Sequence, residues 1–250
     1  MKTKNICLQI PKVGSSSIYK LILDEFNIGE GHYGSYDYSS QPKLIIDDNE
    51  SFVLHSHEYR DIPQNVKDDI KNGGQYYIIN SFRDPIIRNI SGMFFSNVVK
   101  NKTDFNLINQ QLYSASVNNN INGQSYGSEM FKWYYENLFN PLVGFNVFDE
   151  EFDKEKGYSV YKNGNLNILM IKTEKLNSVY KEAFSELYGF KFSKEIQHDN
   201  TQKNPQYIDY KTNTVLDSDF VNTMYDNDYV RHFYTDEEIN NFKKKWTKNE

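Results

Sequence analysis

Apolar and polar positions alternate near the start of the chain. Ile6, Leu8 and Ile10 stand against Cys7 and Gln9, a period of two that predicts a strand, and Cys7 is apolar enough for a buried one. Pro11 ends the pairing because it has no N–H to give. The spacing then changes. Ile18, Leu21, Ile22 and Phe26 recur at helical intervals and predict a helix. Between the two lies PKVGSSS, residues 11–17. Gly14 allows a tight turn or a close approach to a ligand. Ser15, Ser16 and Ser17 offer a helix cap and hydroxyls. A strand–turn–helix of this kind aims free N–H groups and a helix N-terminus at one point, here with Lys12 beside it. That is an anion site, and phosphate is its commonest occupant. The pattern is weak alone, since most such turns bind nothing, and the Walker order is absent because the lysine precedes the glycine.

Further along, residues 51–54 predict a short strand that ends in His55-Ser56-His57. Residues 62–72 predict a surface helix with Pro63 in its first turn, ended by Gly73-Gly74. YYIINSF at 76–82 suits a buried parallel strand, and Pro85 opens a helix reaching about Phe95. Residues 104–139 read as mainly helical, broken by NNNINGQ at 118–124. Residues 141–152 read as a loop or short hairpin, and 158–161 with 166–171 as strands around Asn163-Gly164. A helix follows at 176–188. Residues 27–49 and 197–214 read as loops. Helices at 217–225 and 235–246 close the chain, the last with a capping box of Thr235 and Glu238.

Strands alternating with helices, with apolar central strands, predict an α/β fold: three layers, a central parallel sheet with helices on both faces. It is expected to form one domain over residues 1–250, with a helical elaboration at about 104–140 and a C-terminal helical region. Ligands of such sheets sit beyond the carboxyl ends of the strands. The polar turns at 11–17, 55–57 and 83–85 all follow strands and are expected to converge there.

Composition narrows the function. With 38% hydrophobic and 25% charged residues, the chain can bury a core. A net charge of −6 argues against a general nucleic-acid or membrane-surface binder, so a polyanion site must be a local basic pocket. The single Cys7 excludes an intramolecular disulfide framework and fits a reducing compartment. The N-terminal apolar run is too short for a signal peptide, and no stretch has the length of a membrane span, so a soluble, cytoplasmic protein is expected. The 20 Tyr and 17 Phe would suit sugar stacking if exposed.

Two further groups of residues carry chemistry. Arg83 leaves the end of a predicted strand, and Ser91 stands eight residues later on the next helix. A guanidinium fork and a hydroxyl so placed can grip one phosphate, although taken alone the plainer reading, Arg83 paired with Asp84 or capping the helix and Ser91 a small helix residue, is favoured. Arg88 is either a second cation or a surface charge. His55 and His57 fall on one side of a continued strand. They could begin a zinc site, with His32 or Glu58 proposed as further ligands, but no third ligand is obvious. A histidine general base is the sharper reading, because imidazole titrates in the useful range. Glu58 is a fallback base. The acidic cluster of Asp149, Glu150, Glu151, Asp153 and Glu155 is either a solvated loop or faces an acceptor.

PKVGSSS resembles the 5′-phosphosulfate loop of sulfotransferases that use 3′-phosphoadenosine 5′-phosphosulfate (PAPS), and FRDPIIRNIS at 82–91 resembles their 3′-phosphate motif. Val13 and Ser15 depart from the family's usual Thr and Gly. The segments at 131–158, 167–177 and 225–246 are similar to bacterial capsular polysaccharide synthesis proteins, which are themselves sulfotransferase-like. The resemblance implies a P-loop-like sulfotransferase fold and transfer of a sulfuryl group from PAPS to a hydroxyl, most readily of a carbohydrate in polysaccharide biosynthesis. It implies that Lys12 contacts the bridging and sulfuryl oxygens. The 5′-phosphate falls to N–H groups from Gly14 to Ser17, in the loop that includes Val13 and Ser15, with the Ser16 and Ser17 hydroxyls. Arg83 and Ser91 hold the 3′-phosphate, and Lys203 is a candidate for a nucleotide lid. His55-Ser56-His57 is similar to the catalytic pair of uronosyl 2-O-sulfotransferases, which leaves His55 and His57 as alternative bases. No metal is implied, since a sulfuryl group carries less charge than a phosphoryl group. The alternatives are a P-loop-like kinase or other phosphotransferase, and a non-catalytic nucleotide-binding component of capsule assembly.

Overall fold

The computed structural model describes residues 3–10, 12–28, 51–56, 62–95, 104–118, 128–197 and 204–247. In chain order these form β1 (Lys4–Leu8), α1 (Ser15–Phe26), β2 (Phe52–Ser56), α2 (Gln64–Lys71), β3 (Tyr76–Phe82), α3 (Pro85–Phe95), α4 (Phe105–Asn118) and α5 (Ser128–Tyr134). A π-helical turn at Tyr135–Phe139 leads into α6 (Asn140–Val143), followed by β4 (Tyr158–Asn163), β5 (Leu166–Lys172) and α7 (Leu176–Tyr188). The chain continues with α8 (Pro205–Asn213), α9 (Ser218–Tyr225), α10 (Asp228–Phe233) and α11 (Asp236–Thr247). Two compact units result. The first comprises residues 1–82 and 136–200, the second 83–135 and 201–250.

The first unit is built on a five-stranded sheet of order β2-β1-β3-β5-β4. β1 pairs in parallel with β2 and β3, and β3 with β5, while β4 returns antiparallel on β5 as a hairpin around Gly164. The parallel strands read as continuous apolar runs because both faces are covered. One face carries Cys7, Val53, Tyr77, Ile79, Leu169 and Ile171 against Ile18 and Ile22 of α1 and Leu176 and Phe184 of α7. The alternate positions Ile6, Leu8, Ile78, Ile168 and Met170 are also buried. The predicted central sheet is thus present, mostly parallel with one antiparallel edge strand.

Polar groups lock the sheet at its amino end. Tyr188 OH donates to Asn5 Oδ1 at 2.8 Å, and Asn5 Nδ2 donates to the Phe52 carbonyl at 2.9 Å, so a buried amide ties α7, β1 and β2 together. Asp69 of α2 accepts from Tyr76 OH at 2.8 Å and pairs with Lys4 at 3.0 Å.

The second unit is helical. α3 is buried from Pro85 to Phe94, so it is a core helix with no solvent-facing stripe over those residues. Phe131, Tyr135, Tyr229 and Phe233 stack and tilt against one another at centroid separations of 4.6 to 6.0 Å. The capping box is formed as expected: Glu238 N–H donates to Thr235 Oγ1 at 3.1 Å, and Thr235 N–H donates to Glu238 Oε2 at 2.9 Å. Two predicted loops differ. Residues 205–213 form α8, capped by Asn204, whose side chain accepts from Gln206 N–H, with Pro205 in its first turn. Residues 141–152 hold α6 and a 3-10 turn rather than a hairpin.

Candidate functional site

The turn after β1 departs from ordinary backbone geometry. Lys12 has φ 73° and Gly14 φ 83°. Glycine adopts the left-handed region freely, whereas a lysine held there costs about 1–3 kcal/mol, so its surroundings must impose it. Val13, between them, is fully buried. Its carbonyl lies 2.6 Å from Thr173 Oγ1 and 2.8 Å from Ser81 Oγ. Ser81 Oγ is also 2.7 Å from Gln9 Oε1. With one proton, the hydroxyl donates to either the Val13 carbonyl or Gln9 Oε1, both within hydrogen-bond distance.

α1 starts at Ser15, with Gly14 as its N-cap and no side chain capping it. The serines are therefore first-turn residues, not caps as the sequence suggested. Their own N–H groups precede the helical ladder, whose first bond runs from Ile18 N–H to the Gly14 carbonyl at 3.3 Å. Ser15 and Ser17 are buried and Ser16 is half-buried. An uncapped helix N-terminus beyond the carboxyl end of a central parallel strand is suited to an anion.

The neighbouring strand ends adjoin this turn. Gln9 N–H donates to the Ser56 carbonyl at 3.1 Å, and Asn80 Nδ2 donates to the Leu8 carbonyl at 2.7 Å. His55 lies within β2, not beyond it, in register with Cys7. It is half-buried and stacks over Tyr19 of α1 at 5.4 Å, on the sheet face that α1 covers. Alternation puts Ser81 and Thr173 on that same face. His57, Glu58, His32 and Lys203 lie outside the described residues.

The acidic loop builds its own turn. Asp153 Oδ1 accepts from Lys156 N–H at 2.8 Å, and its carbonyl accepts from Gly157 N–H at 2.9 Å. Lys172, fully buried at the end of β5, donates to the Lys154 carbonyl at 2.7 Å.

In the second unit, Arg83 is the half-buried residue directly after β3, and its carbonyl accepts from Tyr229 OH at 3.1 Å. Asp84 is the cap of α3. Its Oδ1 accepts from Ile86 N–H at 2.8 Å, Ile87 N–H at 3.1 Å and Tyr225 OH at 2.8 Å. Trp246 Nε1 donates to Tyr225 Oη at 2.9 Å, so α11, α9 and the head of α3 share one buried chain of hydrogen bonds. Burial pushes the Asp84 carboxyl up, against the downward pull of these hydrogen bonds and of the Lys245 charge. Ser91 and Arg88 are both buried within α3, and Arg88 Nη1 donates to Asn89 Oδ1 at 3.0 Å, so Arg88 is not a surface charge.

The first unit thus gathers Lys12, Val13, Gly14, Ser15, Ser16, Ser17 and His55 at one edge of the sheet. The second carries Arg83 and Ser91 on one short segment. Ser81, Thr173, Tyr225 and Tyr229 were not legible as supports. Among the described residues, no group of three His, Cys, Asp or Glu is placed to hold a metal ion. Among the same residues, no helix is long and apolar enough to cross a membrane.

No curated protein matches the chain. Among solved structures, the mouse sulfotransferase SULT7A1 complexed with PAP overlaps 86% of this chain and 68% of its own at 13% identity, with a TM-score of 0.39. The fold described above rests on strand order and pairing, not on that overlap. Residues 117–235 match the family model NKWYS, "Putative capsular polysaccharide synthesis protein". That stretch contains the segments at 131–158 and 167–177 and the start of 225–246. Both 11–17 and 82–91 lie upstream of it. Over residues 117–235 the chain is therefore similar to the capsular polysaccharide synthesis family.

Proposed function

We propose that the protein transfers a sulfuryl group from PAPS to a hydroxyl of a carbohydrate acceptor. The observation that carries this reading is the turn at 12–17: a lysine forced into left-handed backbone beside an uncapped helix N-terminus, at the carboxyl edge of a parallel sheet. In this reading the N–H groups from Gly14 to Ser17 hold the 5′-phosphate, and Arg83 and Ser91 hold the 3′-phosphate. Lys203 would add a cation over the nucleotide. The acceptor oxygen attacks sulfur in line, the sulfur–oxygen bond to the 5′-phosphate breaks, and 3′-phosphoadenosine 5′-phosphate (PAP) leaves. Lys12 neutralises charge that develops on that phosphate. His55 takes the acceptor's proton, with His57 as the alternative base. The match to a capsule-synthesis family supports a glycan acceptor.

Calorimetry with PAP, ATP and GTP tests the nucleotide. PAP is expected to bind, and tight binding of ATP with magnesium but not of PAP would overturn the reading. Lys12→Ala is expected to lose about a hundredfold or more in kcat. Arg83→Ala should weaken PAP binding by about tenfold or more. If both variants bind nucleotide and turn over like the wild type, the site is misplaced. His55→Ala and His57→Ala, assayed singly with labelled PAPS over a panel of acceptors, identify the base, and unchanged turnover in both rejects a histidine.

A further inference from the structure

The turn is held from below by residues at the carboxyl ends of two other strands, and the way they hold it determines where its N–H groups point. Thr173 follows β5, and Ser81 is the penultimate residue of β3. Thr173 Oγ1 lies 2.8 Å from the Phe82 carbonyl as well as 2.6 Å from that of Val13. The Phe82 carbonyl also accepts from Thr173 N–H at 2.8 Å, and the Val13 carbonyl is the nearer acceptor of the hydroxyl, so the proton is assigned to Val13. The buried Val13 carbonyl therefore points inward, toward the sheet, with the Thr173 and Ser81 hydroxyls both within hydrogen-bond distance. The Val13–Gly14 peptide is planar and trans, so its N–H points opposite to its C=O. With the carbonyl fixed inward, the Gly14 N–H faces out of the turn. The Thr173 methyl closes the back of the turn, since a Cβ added at Gly14 would meet it at 3.4 Å.

We infer that Thr173 and Ser81 are positioning residues of the anion site, which lock the Val13–Gly14 peptide so that the Gly14 N–H is presented to the bound phosphate. The identity of that phosphate rests on the sulfuryl-transfer reading, whereas the locking of the peptide does not.

The test compares Thr173→Ala with Thr173→Ser, which differ by one hydroxyl, together with the double variant Ser81→Ala/Thr173→Ala. PAP binding is read by calorimetry and the orientation of the Val13 carbonyl by crystallography. Thr173→Ala is expected to weaken PAP binding by about tenfold, and Thr173→Ser to stay within about twofold of the wild type. In the double variant the Val13 carbonyl is expected to rotate outward. A carbonyl that keeps its orientation in the double variant overturns the inference, as does a serine variant as impaired as the alanine one. If the double variant does not fold, the carbonyl orientation in Thr173→Ala decides in its place. If the wild type fails to bind PAP while the carbonyl still rotates in the variant, the locking role stands and the nucleotide reading falls.

Discussion

Asp84 accepts three hydrogen bonds on one oxygen while burial raises its carboxyl above the ordinary value of 3.8. A carboxyl raised on folding binds its proton more tightly in the folded than in the unfolded chain. Its contribution to stability is therefore present below the ordinary value and fades as pH climbs through the raised one. Asp84→Asn keeps an acceptor and carries no charge. Thermal melts should show its Tm gaining on the wild type as pH rises from about 4 to about 7. A gap that stays constant across that series would remove the titration. Asp84→Ala, which loses the cap, should cost about 1–2 kcal/mol near pH 4 and less as pH rises. The roles of Ser81, Thr173, Tyr225 and Tyr229 share a reason for being invisible in the sequence. Each depends on a contact across 68 residues or more, such as Ser81 to Val13 or Tyr225 to Asp84, which spacing along the chain does not reveal. Lys12, Gly14 and Arg83 could be singled out because the chemistry of each can be read from its immediate neighbours.

Elements with strong local signals came through the sequence nearly intact. The run at 76–82 and the helical period at 176–188 match β3 and α7 residue for residue, because each is a long apolar pattern bounded by glycine or charge. The elements missed, α6, α8 and α10, are short, and α8 and α10 are announced by little more than their asparagine caps, Asn204 and Asn227. Asparagine is as common in turns as at helix starts, so composition favoured a loop. The closing helix shows the opposite case, where a reciprocal cap is explicit in Thr235 and Glu238. Thr235→Ala should destabilise the protein by about 1 kcal/mol, read from denaturant midpoints, and Glu238→Gln by less. Equal effects of the two would mean that charge, rather than the cap's geometry, sustains that end of α11.

The chain passes between its two units after residues 82, 135 and 200, so each unit is assembled from separated segments. A chain ending at Asn200 would keep every residue of the first unit yet lose Tyr225, Tyr229 and Trp246 from the second. Hydrogen exchange on that truncated chain should find the amides of Ile78 and Ile79 still protected and those of Ile87 and Ile90 much faster. Persistent protection in α3 would show that residues 83–135 order themselves unaided. The left-handed backbone at Lys12 weighs on the stability of the entire fold, because a side chain there opposes the conformation that the turn requires. Lys12→Gly should therefore raise Tm, by relieving about 1 kcal/mol or more, while abolishing the sulfuryl transfer proposed above. Activity and robustness would then compete at a single position, and selection for thermal endurance alone would discard the lysine.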